Sequence, residues 1–379
     1  LLIAHCSLLI ADCSLLIADL STFGQLNLSD KMTLIDFEHV VPEQLITHHV
    51  GNKLREEDLK LSNDITDLSD ETAELLMKHF LNPVKTEELY AFSQAVQLDY
   101  NAVYKVSQQL FAGSNDFISL SKDLARLLYE QSIHPKIKAG ELNIVRFKNA
   151  RMDGETVDAI GIFKSETSVP FLKMQSSTSG YNINHDYGFE IKGVDKGCII
   201  FNTLAAEGFR VLIIDNLNKT NEAQYWKDDF LEVKPVNNEY HQTNGIMNIA
   251  KNFVTKQLSE EFEVSKADQI DLLNRSVDYF KKHDSFDREE FAGEVFIDAN
   301  VMESFKKFDQ NFRQENELEL SDNFEISAQA VKKQSRIFKS VLKLDKNFHI
   351  YIHGDRNLIE QGVDEDGRKF YKIYFREES

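Results

Sequence analysis

The sequence predicts an α+β protein: an N-terminal antiparallel sheet with packed helices, then a C-terminal helical domain ending in a small antiparallel sheet. Three observations predict it. Between Gly140 and Asp215, short apolar-alternating runs follow one another closely, with Asp153–Gly154, Ser179–Gly180 and Glu207–Gly208 as turn chemistry between them. Strands this close pair antiparallel, since a parallel crossover needs about a dozen residues or more. After Pro235 the apolar period becomes helical. The last stretch then alternates again near Phe348–His353, Leu358–Val363 and Phe370–Phe375, with Gly354 and Asp366–Gly367 at the turns.

Residues 1–31 stand apart. They begin with three copies of one heptapeptide, LLIAHCS, LLIADCS and LLIADLS, and the first Met is Met32. No Lys or Arg precedes Lys31, so a signal peptide's basic start is missing. His5, Asp12 and Asp19 break the apolar runs well short of a membrane span. Three heptads without charged flanks also fall short of a coiled coil. The segment reads as a tandem-repeat extension foreign to the native fold.

The first domain is expected over residues 32–236. A strand around Phe37–Val50 leads to a helix over Asp70–Leu81, whose Leu75, Leu76, His79 and Phe80 recur at helical spacing before Asn82–Pro83 stops it. Helical patterns follow at Glu87–Phe92, Ala102–Gln109 and Phe117–Gln131. Six strands are expected at Leu142–Phe147, Val157–Lys164, Phe171–Gln175, Phe189–Lys192, Cys198–Asn202 and Arg210–Asp215. The second domain, 237–379, has helices at Gly245–Leu258, Ser265–Lys282, Asp287–Val295 and Asn300–Phe312. A helix over Ala328–Leu344 and a terminal three-stranded sheet follow.

Composition narrows the function. With 42% hydrophobic residues and 27 Phe, the chain can build real cores and is not disordered. Beyond the repeats only Cys198 remains, inside the apolar run Cys198–Phe201. It is expected as a buried thiol with no disulfide, a pattern that fits the cytosol. No later run is long enough for a bilayer. The formal charge of −19 argues against a protein that simply coats DNA, so the distribution of charge decides.

Two segments run against the acidic trend. In the helix expected over Ala328–Leu344, Lys332, Arg336, Lys339 and Lys343 fall on one stripe at ~100° per residue, flanked by Lys333. Ala330, Val331, Phe338, Val341 and Leu342 fall on the opposite face. Such a helix would dock by its apolar side and meet phosphates with its basic side. The alternatives are an acidic protein partner, or a solvated face that balances Glu315, Glu317, Glu319 and Asp322. The second segment carries Lys136, Lys138, Arg146 and Lys148.

Catalytic motifs are weak. Glu190 and Lys192, with Asp186 or Asp158, resemble the acid–x–Lys metal site of restriction-type nucleases, but the tripeptide is common. Tyr225 to Leu231 places Asp228 and Asp229 beside aromatics and reads better as a strand-to-helix junction with Trp226 and Phe230 in the core. There is no GxGxxG, P-loop or G-x-S-x-G. No catalytic residue, metal site or cofactor is expected.

Several segments in order carry a family resemblance: His48 to Lys53, Lys138 to Leu142, Ile160 to Glu166, Val194 to Asn202, Ala223 to Leu231, and Gly367 to Phe375. Together they resemble the bacterial nucleoid-associated protein family known as NdpA or YejK, over nearly the whole chain from about Thr33. The resemblance implies a cytoplasmic protein at the nucleoid, with binding of DNA or RNA expected and no established enzymatic activity. It hands over no binding residues. Association through another nucleoid protein, such as a topoisomerase, is the alternative it leaves open.

Overall fold

A computed structural model describes residues 35–113, 116–216, 225–336, 338, 341–352 and 358–377. The repeats and the rest of residues 1–34 lie outside them.

The first half is organised by one antiparallel sheet. Its order is β11 (Val233–Pro235), β4 (Leu89–Phe92), β10 (Arg210–Asp215), β9 (Lys196–Phe201), β6 (Glu155–Ser165), β5 (Gly140–Met152), β2 (Val41–Val50) and β3 (Leu59–Lys60). The short β1 (Ile35–Asp36) pairs with the far end of β5. Its central strands are apolar on both sides: all of β9 and Ala159–Ser165 of β6 are buried. On one face Ile144, Ile160, Ile162, Cys198 and Ile200 pack under helices α2 (Ala102–Phe111) and α3 (Phe117–Gln131), joined by a π-helix, Tyr225–Leu231. On the other, Val145, Phe147, Phe163, Ile199 and Phe201 pack under α1 (Asp70–Leu81), where Phe80 stacks on Phe163 with ring centroids 4.3 Å apart. Gly161 makes this face possible, because a Cβ there would lie 2.3 Å from the Phe163 ring and 2.6 Å from that of Phe147.

The second half is built on phenylalanine. Helices α4 (Glu239–Asn252, continued by a π-turn and Leu258–Glu261), α5 (Lys266–Lys282), α6 (Arg288–Phe296) and α7 (Ala299–Glu315) enclose Phe253, Phe280, Phe286, Phe291, Phe296 and Phe305. A small ribbon of β12 (Ser285–Asp287) and β13 (Asn323–Glu325) leads to α8 (Ala328–Ser335). Asp309, 1% exposed, is held at 2.6 Å by Arg313 Nε. Arg288 Nε lies 2.8 Å away, close enough for an ion pair but off the line of a hydrogen bond.

Helix starts follow side-chain chemistry. Ser69, Asn101, Asp116, Asp287 and Ser327 each accept from a first-turn backbone N–H, and Ser265 forms a capping box with Asp268. Pattern and fold part company at five places. Glu87–Phe92 is expected as a helix, yet Leu89–Phe92 is β4, whose short apolar run suits either state until β10 and β11 pair with it. The sheet has nine strands, not six, because β1 to β4 and β11 join it. The Phe171–Gln175 run belongs to β7 (Val169–Ser177), which pairs only with β8 (Gly180–Gly188) and stays outside the sheet; Phe189–Lys192 is a loop after β8. The helix expected to reach Leu344 ends at Ser335. Instead of one terminal sheet of three strands, two hairpins form: β14 (Val341–Leu344) with β15 (Phe348–Tyr351), and β16 (Ile359–Val363) with β17 (Lys369–Ile373). The alternating Val-Leu-Lys-Leu of β14 finds a partner across a short turn, and strand pairing overrides the helical stripe.

His48 and His49 point to opposite faces of β2, as strand geometry requires. His48 is buried against α3. Ser62 N–H donates to its Nδ1 at 3.1 Å, and its Nε2 lies 3.0 Å from Ser121 Oγ. Nδ1 must therefore accept, which fixes the neutral Nε2–H tautomer. Burial, with Lys122 and Arg126 nearby, pushes the His48 pKa down from 6.5 to about 4. The unfolded chain thus binds the extra proton first as pH falls. Stability contributed by neutral His48 should be intact above about pH 6.5 and decline by up to ~1.4 kcal/mol per pH unit toward pH 4. Urea melts across that range, compared with His48→Gln, test this; the variant should show a flatter profile, and parallel profiles would refute the assignment.

Candidate nucleic-acid interface

The cations singled out in the sequence divide into those that the fold engages and those it leaves at the surface. Ser327 starts α8 and turns Ala330 and Val331 into the core, so Lys332, Lys333 and Arg336 emerge on exposed positions. Lys332 and Arg336, four residues apart, share one side. Lys343 is exposed on β14, directly opposite His349 of β15. α8 and β14 both pack against α5, which holds these side chains on a common support. Lys332, Arg336 and Lys343 form no ion pair with another described residue. Lys339 lies outside the described residues.

Lys333 has a different task. Its Nζ donates to Tyr240 Oη at 2.8 Å, sits 5.4 Å over that ring, and lies 3.8 Å from Glu88 of the first half. Burial lowers its pKa, but the Tyr240 hydrogen bond and the Glu88 charge outweigh this and raise it. Lys333 is thus a cationic bridge between the two halves, beside a cavity of about 250 Å³ that Lys85, Glu88, Tyr90, Asp215 and Lys227 also line.

The second basic segment is mostly engaged. Arg146 donates to Leu110 O at 3.0 Å and lies 5.4 Å over the Phe117 ring. Lys148 is neutralised by Asp158 at 3.3 Å and Glu43 at 3.7 Å. Lys136 and Lys138 are exposed on a loop that Asn52 clamps by donating to His134 O and Ile137 O at 2.8 and 2.7 Å. Arg146 and Lys148 are thus engaged by the fold itself.

The nuclease-like tripeptide is not on a strand. Glu190 and Lys192 pair with each other at 3.2 Å in an exposed loop, Asp158 is held by Lys148, and Asp186 stands on β8 opposite Phe171. Among the described residues, the group of acids and His near enough to share a cation is instead His283, Glu290 and Glu294. It forms surface ion pairs, with His283 Nε2 3.3 Å from Glu294. Trp226 and Phe230 are core residues as expected, and Trp226 Nε1 donates to Gly197 O at 3.2 Å.

Pattern reading missed a buried polar cluster at one end of the sheet. Lys164 and Lys196 are cross-strand partners and almost fully buried. Lys164 Nζ lies 3.1 Å from Glu166 and donates to Lys138 O at 2.7 Å, while Lys196 Nζ donates to both oxygens of Asp215 at 3.1 Å. Tyr225 lies between them, its hydroxyl donating to Glu166 at 3.2 Å and its ring 5.3 Å from Lys196 Nζ. Burial lowers the Lys164 pKa and raises that of Tyr225. The signal was a lysine inside each of two apolar strands. Four of the segments that carry the resemblance meet here, through Lys138, through Lys164 with Glu166, through Lys196 and through Tyr225.

The family model NA37, nucleoid-associated protein YejK, matches residues 46–369. The chain belongs to this family. No curated protein matches it. Among the described residues no helix is long and apolar enough to cross a membrane. The family's association with the nucleoid directs attention to the free cations of α8 and β14, whereas the balanced charges of the buried cluster mark it as structural. Breaking one of its pairs strands a buried charge, so Asp215→Asn should lower stability by about 3–5 kcal/mol. Chemical denaturation measures this, and a loss below ~1 kcal/mol would show that the pair is dispensable.

Proposed function

We propose that the protein is a non-enzymatic nucleoid component that binds the nucleic-acid backbone, DNA before RNA, with little sequence preference. Lys332, Arg336 and Lys343 make the contact, with Lys136 and Lys138 as a secondary site. One observation carries the reading: in a chain of net charge −19, these three cations of one segment stand exposed with no ion pair to a described residue, on elements braced by α5. Phosphate contacts position a duplex without reading its bases. The second reading is recruitment through a DNA-bound protein such as a topoisomerase, which the overall negative charge favours because it repels DNA at long range.

A salt titration of duplex binding separates the two. Three neutralised phosphates predict a log–log slope of about −2.7. Arg336→Glu with Lys343→Glu should weaken binding to unrelated sequences equally and flatten the slope, while stability stays within roughly 0.5 kcal/mol. A folded double variant with unchanged affinity would move the site to Lys136 and Lys138. No binding at low salt would favour recruitment by a partner. The non-enzymatic reading predicts intact labelled duplex and single strands after incubation with Mg²⁺ or Mn²⁺; cleavage abolished by Glu190→Ala would overturn it.

A further inference from the structure

The hairpin β7–β8 has a sidedness that the sheet does not use. Nine residue pairs keep it in register from Val169↔Gly188 to Ser177↔Gly180, a ribbon roughly 30 Å long. Directly paired residues of an antiparallel ribbon share a face. One face therefore carries Phe171, Lys173 and Gln175 with Asp186, Asn184 and Asn182, and is polar beyond Phe171. The other carries Pro170, Leu172 and Met174 with Tyr187, His185, Ile183 and Tyr181. That second face is bare: Leu172 is 70% exposed, Met174 66%, Tyr181 77%, Ile183 62% and Tyr187 63%.

A lone two-stranded ribbon is at best marginally stable in water, and one with an apolar face needs a cover. We propose that the cover is the same face of a second copy of this chain, two arms packing antiparallel about a two-fold axis. Size supports this. Taking ~150–250 Å² for each large side chain, the five exposed residues offer on the order of 700 Å², close to the ~800 Å² per partner of a standard interface. Charge supports it as well. Lys173 and Asp186 cancel each other and lie on the opposite face, so the stripe can meet its own copy without repulsion. The same neutrality argues against the arm as a nucleic-acid ribbon, which needs phosphate-seeking cations. Face-to-face ribbons pack about 10 Å apart, so Leu172, Met174 and Ile183 can interdigitate at the centre with the tyrosines around them.

Sedimentation equilibrium of the full chain over a range of micromolar concentrations tests the arm. A dimer is expected. Leu172→Thr with Ile183→Thr, which keeps strand propensity, should raise the dimer dissociation constant at least a hundredfold. Its thermal melt at low concentration should match that of the unaltered monomer, since these residues lie outside the cores. Lys173→Ala with Gln175→Ser, on the polar face, should leave the dimer intact. A parent chain that stays monomeric at 100-fold the working concentration would refute the proposal. So would a double variant that still dimerises with unchanged affinity, or one that loses DNA binding without any change in mass.

Discussion

The fold rests on an antiparallel sheet that must be covered on both faces. β5, β6 and β9 are apolar toward both sides, a pattern more familiar in parallel sheets, and a solvated face would leave residues such as Phe147, Phe163 and Phe201 in water. Much of the first half follows. α2, α3 and the π-helix close one side, and α1 with the segment before β2 closes the other. Polar groups within those layers must then find partners inside the protein. This is why His48 is locked as a neutral tautomer between Ser62 and Ser121, and why each buried lysine at the sheet end meets a carboxylate.

That rule also separates charge held by the fold from charge left at the surface. Lys164 and Lys196 would look like site residues on burial alone, yet each is matched within about 3 Å by an acid. Lys333, Arg146 and Lys148 are likewise tied to Glu88, Leu110 O and Asp158. What remains in the basic segment is Lys332, Arg336 and Lys343, which form no ion pair with another described residue. In an acidic protein such a set sets local potential only at short range, because solvent ions screen beyond ~10 Å. The proposed phosphate binding would therefore have to rely on close contact and not on long-range steering.

Much of the first sheet and nearly all helix starts were legible, because alternation, helical spacing and caps are local signals. Asp70–Leu81 and Arg210–Asp215 coincide with their expected spans. The failures share a cause. Leu89–Phe92, the Phe171 run and Val341–Leu344 are short apolar stretches. The pairing of Leu89–Phe92 with two far strands, the exclusion of the Phe171 strand from the main sheet and the hairpin made by Val341–Leu344 are set by which segment pairs with which, and periodicity does not contain that. The site was legible as a list of cations but not as a surface. Side-chain spacing does not say that Lys333 will find Tyr240 or that Arg146 will cross over to Phe117.

The end of α8 at Ser335 changes what the basic segment can do. A continuous helix to Leu344 would have set its cations along one rod, a shape suited to a groove. Instead Lys332 and Arg336 stand at the end of a two-turn helix, and Lys343 follows on a strand beside His349. The proposed backbone contact would therefore have to draw on cations of two consecutive elements and not on one continuous helical stripe. Both elements lean on α5, whose Leu273 and Val277 belong to the phenylalanine core and whose Ala267 and Ile270 lie beneath the terminal hairpins. The basic surface is therefore only as well positioned as that core. Substitutions inside it would blur the spacing of the three cations without altering their number.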